Sequence, residues 1–487
     1  MSAPASALPL FRLMAGPSPT AAAPLGIVSG LLLYDSGEAE ETFLYRCQDR
    51  YLAYNSLAGI RTVLFVANEE HSLRYRHLIK RHNERIRMVS AHTGVPLPIA
   101  PEPWFAAVDL SRLDPIELPN AYTLVLNQVS PTCARLAGEQ LRSMGELALR
   151  WHDKAHYFRT IERQPEGLPP HAHTALFSTS EFAAVASWRD LAALWAQRTG
   201  RPEPAALYVK SSYDSGGNAS ARLSSTGFED TMGRARSLST GPELSQLRVD
   251  IESTPSLAHM CFSDLQLAGW LRAQRRRRGQ ISILVQEAIE GPEDADVQGL
   301  GVTCWVESPE RAEIVVAAGQ LYRDTRRHHF SGSFLSDDPL PGPLAAQILR
   351  LCSMLAREGY QGPVNFDARR NAANEWVFLY DCNPRLSAVY PPLAVRAFLR
   401  SCGYDVRTIA SLGYRGEFAR ANLEGMLLDL DAAGLLYQSR RGWGILPIPN
   451  MARDHGLDLL LLNIPVNQIG SVANRSRAVS DLDFRVY

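Results

Sequence analysis

Two acids and an amide carry the clearest chemistry in this chain. Asp367 closes the run Val364-Asn365-Phe366, and Asp381 and Asn383 stand two apart in Val377-Phe378-Leu379-Tyr380-Asp381-Cys382-Asn383-Pro384-Arg385. Both runs read as strands, joined by a tight hairpin whose bend is Asn371, Ala372, Ala373 and Asn374. Strand alternation points Asp381 and Asn383 to one face. Two carboxylates and an amide oxygen on a rigid hairpin make a hard-oxygen site of the kind Mg²⁺ takes, its shell completed by nucleotide phosphates. The plainer reading of the same residues is a row of solvent-facing strand acids. With Asp381 read as a metal ligand, Asp381→Ala is expected to leave unfolding of the ligand-free protein nearly unchanged.

Two other segments can hold a nucleotide. Ala206-Leu207-Tyr208-Val209-Lys210 is a short strand ending in a lysine, followed by a loop of small residues that includes Ser215, Gly216 and Gly217. Backbone N–H groups of such a loop can wrap phosphate oxygens while the lysine supplies a point charge. It is not a Walker loop, because the lysine precedes the glycines. Farther on, a strand from Ile281 to Glu287 runs into Ala288-Ile289-Glu290-Gly291-Pro292-Glu293. Gln286 and Glu287 close that strand, Ile289 offers backbone groups to a purine edge, and the acids offer a carboxylate to a ribose.

The order strand–lysine–glycine loop, then LVQEAIEGPE, then VNFD, then YDCNPR resembles the ATP-grasp superfamily, over roughly residues 150 to 400. The whole chain resembles the pheganomycin-type peptide ligases of that superfamily. The resemblance implies an α/β chain: an ATP-grasp fold preceded by an open α/β pre-ATP-grasp domain and followed by a small α+β domain. It implies ATP and Mg²⁺ as cofactors, with a small-molecule carboxylate and an amine or peptide as substrates. The carboxylate would become an acyl phosphate, and attack by the amine would give an amide, with ADP and phosphate released. It gives Lys154, in WHDKAHYF, and Lys210 to the phosphates, with Ser215, Gly216 and Gly217 in the phosphate loop. Gln286, Glu287 and Ile289 go to the purine, and Asp367, Asp381 and Asn383 to the metal. Aligned on EGPE, Glu293 is the first choice for the ribose and Glu290 the reserve; Asp294 and Asp296 crowd the same segment.

Arg385 matches the arginine of the family's N-x-R pattern and could pair bidentately with a carboxylate or an acyl phosphate. One departure matters. Many members carry an arginine two residues before the first metal acid, where this chain has Asn365. Transition-state charge must then be met elsewhere, and Arg323, Arg326 and Arg327 of LYRDTRRHHF are available. Two other readings stay open: a grasp enzyme that transfers phosphoryl to another acceptor or forms a thioester, and a regulatory module that holds ATP without turnover.

These residues need elements to position them. At 487 residues the chain is too long for one core and suggests about three domains. We read 1–24 as a disordered lead rather than a signal peptide, 25–150 as the open α/β domain, 151–400 as the grasp and 401–487 as the C-terminal domain. In the first domain Ile27 to Gly30, Thr62 to Val66 and Thr123 to Ser130 read as strands, and Glu40 to Asn55 as a helix. Ser180 to Arg198 reads as one helix with Phe182, Val185, Ala186, Leu191, Leu194 and Trp195 on its apolar face. Ser224 to Leu257 is either a flap or a long surface loop. Pro343 to Glu358 reads as a helix feeding the metal hairpin. The C-terminal part shows a helix around Ala419 to Ala433 and strands at Gly444 to Pro447 and Leu457 to Ile464.

Composition narrows the partners. With 50 basic and 51 acidic residues, a net charge of −1 gives no reason to expect nucleic acid or a membrane. Arg275 to Arg278 reads as a solvated helix end, complementing the helix dipole. The seven cysteines are scattered without C-x-x-C, which opposes a disulfide framework or thiolate zinc site and suits a reducing cytoplasm. His328 and His329 are adjacent and so point apart on a strand. His171 and His173 share a face but lack a third ligand. All four read as non-metal histidines of loops or surface. Assembly as a homodimer stays open, and neither the acid nor the amine can be named.

Overall fold

The computed structural model describes residues 26–28, 52–57, 61–66, 69–100, 102, 104–107, 139–212, 220–225, 282–291, 297, 299–322, 330–412, 423–449 and 457–480. The expected strand at Thr123 to Ser130 and the Arg275 to Arg278 run lie outside them, as do most of the Glu40 to Asn55 helix and of the Ser224 to Leu257 segment. The chain divides into two compact units. The first comprises Met1–Leu149, Asp294–Phe366 and Asn383–Tyr487; the second comprises Arg150–Glu293 and Asp367–Cys382.

The first unit opens with β1 (Gly26–Val28), α1 (Leu52–Leu57), β2 (Arg61–Val66), α2 (Glu69–Thr93) and β3 (Trp104–Ala107). The strands form a parallel sheet in the order β1-β2-β3, as alternating strands and helices predict. Helix α2 has Glu69 and Glu70 in its first turn and His92 in its last, matching the dipole, and ends at Gly94 with φ of +69°. Helix α3 (Glu139–His152) then carries the chain into the second unit.

The second unit contains α4 (Lys154–Arg163), β4 (Thr174–Ser178), α5 (Thr179–Ala184), α6 (Trp188–Thr199), β5 (Ala206–Ser211), β6 (Ser220–Ser224) and β7 (Ser282–Glu287). Its strands form an antiparallel sheet in the order β4-β7-β5-β6. Ala175, Phe177, Leu207, Val209, Leu223, Ile283 and Val285 pack one face of this sheet against Phe182, Val185, Leu191 and Trp195. Trp195 Nε1 also donates to the Val285 carbonyl at 3.0 Å. By alternation, Thr174, Tyr208, Lys210, Leu284 and Gln286 belong to the opposite face.

The single helix expected from Ser180 to Arg198 is two. Ser178 caps α5 in a capping box with Glu181, Val185 is extended, and Ser187 caps α6 through the Asp190 N–H. The apolar periodicity runs across the break because both helices cover the same sheet face, although Ala186 is exposed.

The rest of the chain is built on β8 (Gly299–Ser308), β9 (Arg311–Tyr322), β10 (Phe330–Leu335), α7 (Gly342–Arg357), β11 (Gly362–Arg370) and β12 (Trp376–Asn383). It continues with α8 (Tyr390–Ser401), β13 (Ile409–Leu412), α9 (Leu423–Ala432), β14 (Gly444–Pro449), β15 (Leu457–Leu462) and α10 (Ile469–Ser480). The expected helix at Pro343 to Glu358 and the two late strands are therefore present. The sheet has the order β12-β11-β8-β9-β10-β13-β15-β14, antiparallel from β8 through β14. Gly332 permits the close approach of β10 to β13, since a Cβ there would lie 1.9 Å from the Ser411 carbonyl oxygen. The architecture is mixed α/β. Among the described residues no helix is long and apolar enough to cross a membrane.

Candidate functional site

The hairpin expected between Asp367 and Asp381 is present. Its turn is closed by Asn371 N–H to the Glu375 carbonyl and Asn374 N–H to the Asn371 carbonyl, each 2.9 Å. Asn371 Oδ1 also accepts the Glu375 N–H, and Asn374 takes the left-handed conformation, φ +63°, that asparagine tolerates. Along β12, Phe378, Tyr380 and Cys382 are buried while Leu379, Asp381 and Asn383 are half-buried. Asp381 and Asn383 thus share a face of the strand. On β11, Asp367 and Arg369 are half-buried on either side of buried Ala368.

Asp381 does not stand alone. Lys154 Nζ lies 3.1 Å from its Oδ1 and Lys210 Nζ lies 2.9 Å from its Oδ2. Both lysines are buried, at 6% and 7% exposure, so each ammonium is confined to this spot. Their placement follows from local structure. Asp153 caps α4 by accepting the Ala155 N–H at 3.0 Å, which makes Lys154 the first helical residue. The Lys154 N–H donates to the Ser212 carbonyl at 2.8 Å, and the Ser212 N–H to the Ser282 carbonyl at 3.1 Å. These bonds tie the start of α4 to the end of β5 and the start of β7. Lys210 is fixed in register on β5, opposite Leu284 and Ser220.

Burial alone would raise the Asp381 pKa, but the two ammonium groups hold it well below the usual carboxylate range. Burial pushes Lys210 down, opposed by Asp381 and reinforced by the charges of Lys154 and Arg369. A carboxyl whose folded pKa is depressed contributes stability above its unfolded value, near 4, and loses it as pH falls further. Acidification from pH 5 to pH 3 should therefore destabilise the wild type more steeply than Asp381→Asn, as denaturant titrations at each pH would register. Equal slopes would remove the lysine pairing as the cause.

The segment expected to hold a purine is anchored on both sides. The Glu287 N–H donates to the His173 carbonyl at 2.9 Å, and Glu287 Oε1 accepts the His173 N–H at 2.8 Å. The Ala288 N–H donates to the Ala206 carbonyl at 3.1 Å. Glu287, Ala288, Ile289 and Glu290 line a cavity of about 280 Å³ together with Pro204, Ala205, Ala206, Asn371 and Ala372. Glu290 is held at this rim by Arg222, 2.7 Å away. Gln286 and Ser212 are both 1% exposed, and neither Gln286 Nε2 nor Ser212 Oγ has a hydrogen-bond partner among the described residues. Buried orphans of this kind suit a polar ligand.

The other expected residues are dispersed or undescribed. Ser215, Gly216, Gly217, Glu293, Arg323 and Arg326 lie outside the described residues, as do Arg327, His328 and His329. Arg385 belongs to the first unit, where its Nη2 donates to Asn383 Oδ1 at 3.2 Å and its Nη1 to the Leu386 carbonyl at 3.0 Å. Asn365 is buried in a neutral network, accepting from Thr303 Oγ1 at 3.0 Å, with Ser387 Oγ a further 3.1 Å from Thr303. Sequence reasoning placed His171 in a loop or on the surface. Its ring is instead packed among Tyr157, Phe378 and Tyr380, with Nε2 3.0 Å from the Tyr157 hydroxyl. Burial lowers its pKa to about 4, so it is neutral at physiological pH. That cluster continues through Tyr380 Oη, which donates to Glu162 at 2.9 Å. Sequence reasoning also passed over Arg369, whose Cζ lies 5.9 Å from the Tyr208 ring centroid.

Among the described residues no group of three His, Cys, Asp or Glu side chains could hold a metal ion. The donor set expected for Mg²⁺ is two carboxylates and one amide. It has the right oxygen chemistry, yet both Asp381 oxygens and the Asn383 oxygen already bond cationic side chains.

No family model matches the chain, and no curated protein sequence does. Solved structures do align with it. Phosphoribosylamine–glycine ligase from Thermotoga maritima aligns at a TM-score of 0.47 and 12% identity, over 90% of this chain and 96% of that one. N5-carboxyaminoimidazole synthetase from Staphylococcus aureus, complexed with ADP, aligns at a TM-score of 0.45 and 10% identity, over 93% and 96% of the two chains. The L-amino acid ligase from Bacillus licheniformis aligns at a TM-score of 0.43 and 12% identity, over 95% and 98%. None of the three reaches a TM-score of 0.5, so the function rests on the residues of this chain.

Proposed function

We propose that this protein is an ATP-dependent ligase of the ATP-grasp type, joining a carboxylate to an amine with release of ADP and phosphate. The observation that carries the reading is the pair of buried lysines converging on Asp381. Two buried ammonium groups brought to one carboxylate offer a polyphosphate two charge-assisted donors in a place sheltered from water. The cavity lined by Glu287 to Glu290, in the same unit, supplies a place for the base.

Lys154 and Lys210 hold the phosphates and neutralise charge as it moves between oxygens. Asp367, Asp381 and Asn383 would hold Mg²⁺, which when bound screens the phosphate oxygens. Glu287, Ile289 and Gln286 position the purine, and Glu293, with Glu290 in reserve, the ribose. Ser215, Gly216 and Gly217 would offer hydrogen-bond donors to the phosphates. Arg385, Arg323 and Arg326 serve the acyl phosphate. A carboxylate oxygen of the substrate attacks the γ-phosphorus, forming an O–P bond as the bond to the ADP oxygen breaks. The amine nitrogen then attacks the carbonyl carbon, the C–N bond forms, phosphate leaves and the nitrogen gives up a proton. The chain supplies positioning and charge, with no side-chain nucleophile needed. The free Cys304, Cys352, Cys382 and Cys402 agree with a cytoplasmic enzyme.

The test is a screen of amino acids and short peptides offered in pairs with MgATP, read as nucleotide product and product mass. ADP with an amide is expected. Offered the acid alone with hydroxylamine, the enzyme should yield a hydroxamate. AMP and pyrophosphate as products would reject the acyl phosphate route.

A further inference from the structure

We propose that Tyr380, Glu162 and His171 are positioning residues that set Lys154 against Asp381 and so fix where a nucleotide phosphate is received; this rests on the ATP-binding reading above. Lys154, Phe158 and Glu162 stand four apart on α4, one above another on a single stripe of the helix, with Tyr157 beside Phe158. Each of these side chains is tied to β12. Lys154 Nζ lies 3.1 Å from Asp381 Oδ1, and Tyr380 Oη donates to Glu162 Oε1 at 2.9 Å. The Phe158 and Tyr157 rings meet the Tyr380 ring edge-on, with centroids 4.9 and 5.8 Å away. Tyr380 and Asp381 are neighbours and so point to opposite faces of the strand. Helix α4 is therefore held to both faces, its first turn by Lys154 and its last by Glu162, about 12 Å apart along the axis.

His171 fills the joint between helix and strand. Its Nδ1 lies 2.8 Å from the Pro169 carbonyl, which can only accept, so Nδ1 carries the proton of the neutral ring and Nε2 accepts from the Tyr157 hydroxyl. The ring stacks on Tyr380, with centroids 5.0 Å apart and planes 29° apart. On either side of it the backbone is bonded to β12: the Phe378 N–H donates to the Pro170 carbonyl at 2.7 Å and the Ala172 N–H to the Phe378 carbonyl at 2.9 Å. The imidazole thus passes the register of β12 to Tyr157 on α4. Burial, with the charge of Glu162, raises the Tyr380 pKa and keeps its hydroxyl a donor. A turn of α4 large enough to move Lys154 off Asp381 would break the Glu162 and Tyr157 bonds as well. With the helix fixed, only the lysine stem remains to be ordered when an anion arrives.

The test is a double-mutant cycle on the full chain, read as ADP affinity in MgCl₂ by calorimetry and, for the weaker variants, as the rise in thermal midpoint at millimolar ADP. Tyr380→Phe keeps the ring against Phe158 and His171 and removes only the hydroxyl. Tyr380→Phe and His171→Leu should each weaken ADP binding by about three- to tenfold in the wild-type background. In Lys154→Met, which has no ammonium to position, the same changes should cost less than about twofold. Glu162→Gln, which keeps an oxygen for Tyr380 to reach, should recover most of the affinity that Glu162→Ala loses. Losses of equal factor in the two backgrounds, or unchanged ADP affinity in folded Tyr380→Phe and His171→Leu, would overturn the assignment and leave the cluster a matter of packing alone. A wild-type chain that binds no ADP would overturn the ATP-binding reading along with it, a result distinct from losses that ignore Lys154.

Discussion

Replacing Asp381 by alanine is expected to destabilise the ligand-free protein by about 3 kcal/mol or more, besides abolishing turnover. Lys154 and Lys210 are buried and both face this one carboxylate, so the substitution leaves two like charges together without it. A ligand-only role for Asp381 implies no effect on unfolding; the two ion pairs reverse that expectation. Asp381→Asn, which keeps the shape and an acceptor but not the charge, should fall between. Inorganic triphosphate should raise the thermal midpoint of Asp381→Ala more than that of the wild type, because the anion replaces the missing charge. A midpoint for Asp381→Ala within about a degree of wild type would mean that the pairs contribute nothing.

Lys210→Met should do the opposite: leave folding intact and remove nucleotide binding. Lys154 still answers Asp381, so the variant keeps one cation on one carboxylate in place of two. Methionine fills the stem volume without the charge, and the burial that depresses the Lys210 pKa no longer acts on a cation. Loss of a charge-assisted phosphate contact costs about 1.5–3 kcal/mol, so affinity for MgATP should fall about 10- to 100-fold, and the rate should fall with it. Nucleotide titration beside thermal unfolding separates the two effects. Impaired folding with unchanged nucleotide affinity would make Lys210 structural.

The β11–β12 hairpin was legible because its signals are local. An asparagine-rich bend lies between alternating strands, and alternation alone places Asp381 beside Asn383 on one face. Strand β5 and its terminal lysine were legible for the same reason. The direct pairing of Lys154 and Lys210 with Asp381 was not, although the resemblance sent all three to one nucleotide, since it joins a helix start, a strand end and a hairpin separated by up to 227 positions, 154 to 381. Composition treats such charges as separate surface residues. The helix expected from Ser180 to Arg198 failed on caps. Periodicity is indifferent to a break that keeps both helices on one sheet face, whereas Ser178 and Ser187 each start a new helix.

The most direct test of the acyl phosphate route follows one oxygen. With ¹⁸O in the carboxylate of the acid substrate and complete conversion to amide, an acyl phosphate requires that one label per turnover leave in the inorganic phosphate, with ADP as the nucleotide product. Mass analysis of the phosphate reads the result. Labelled phosphate in step with amide formation is the expected outcome. Unlabelled phosphate, or label recovered in AMP, would contradict it even if the lysines and Asp381 bind ATP as described.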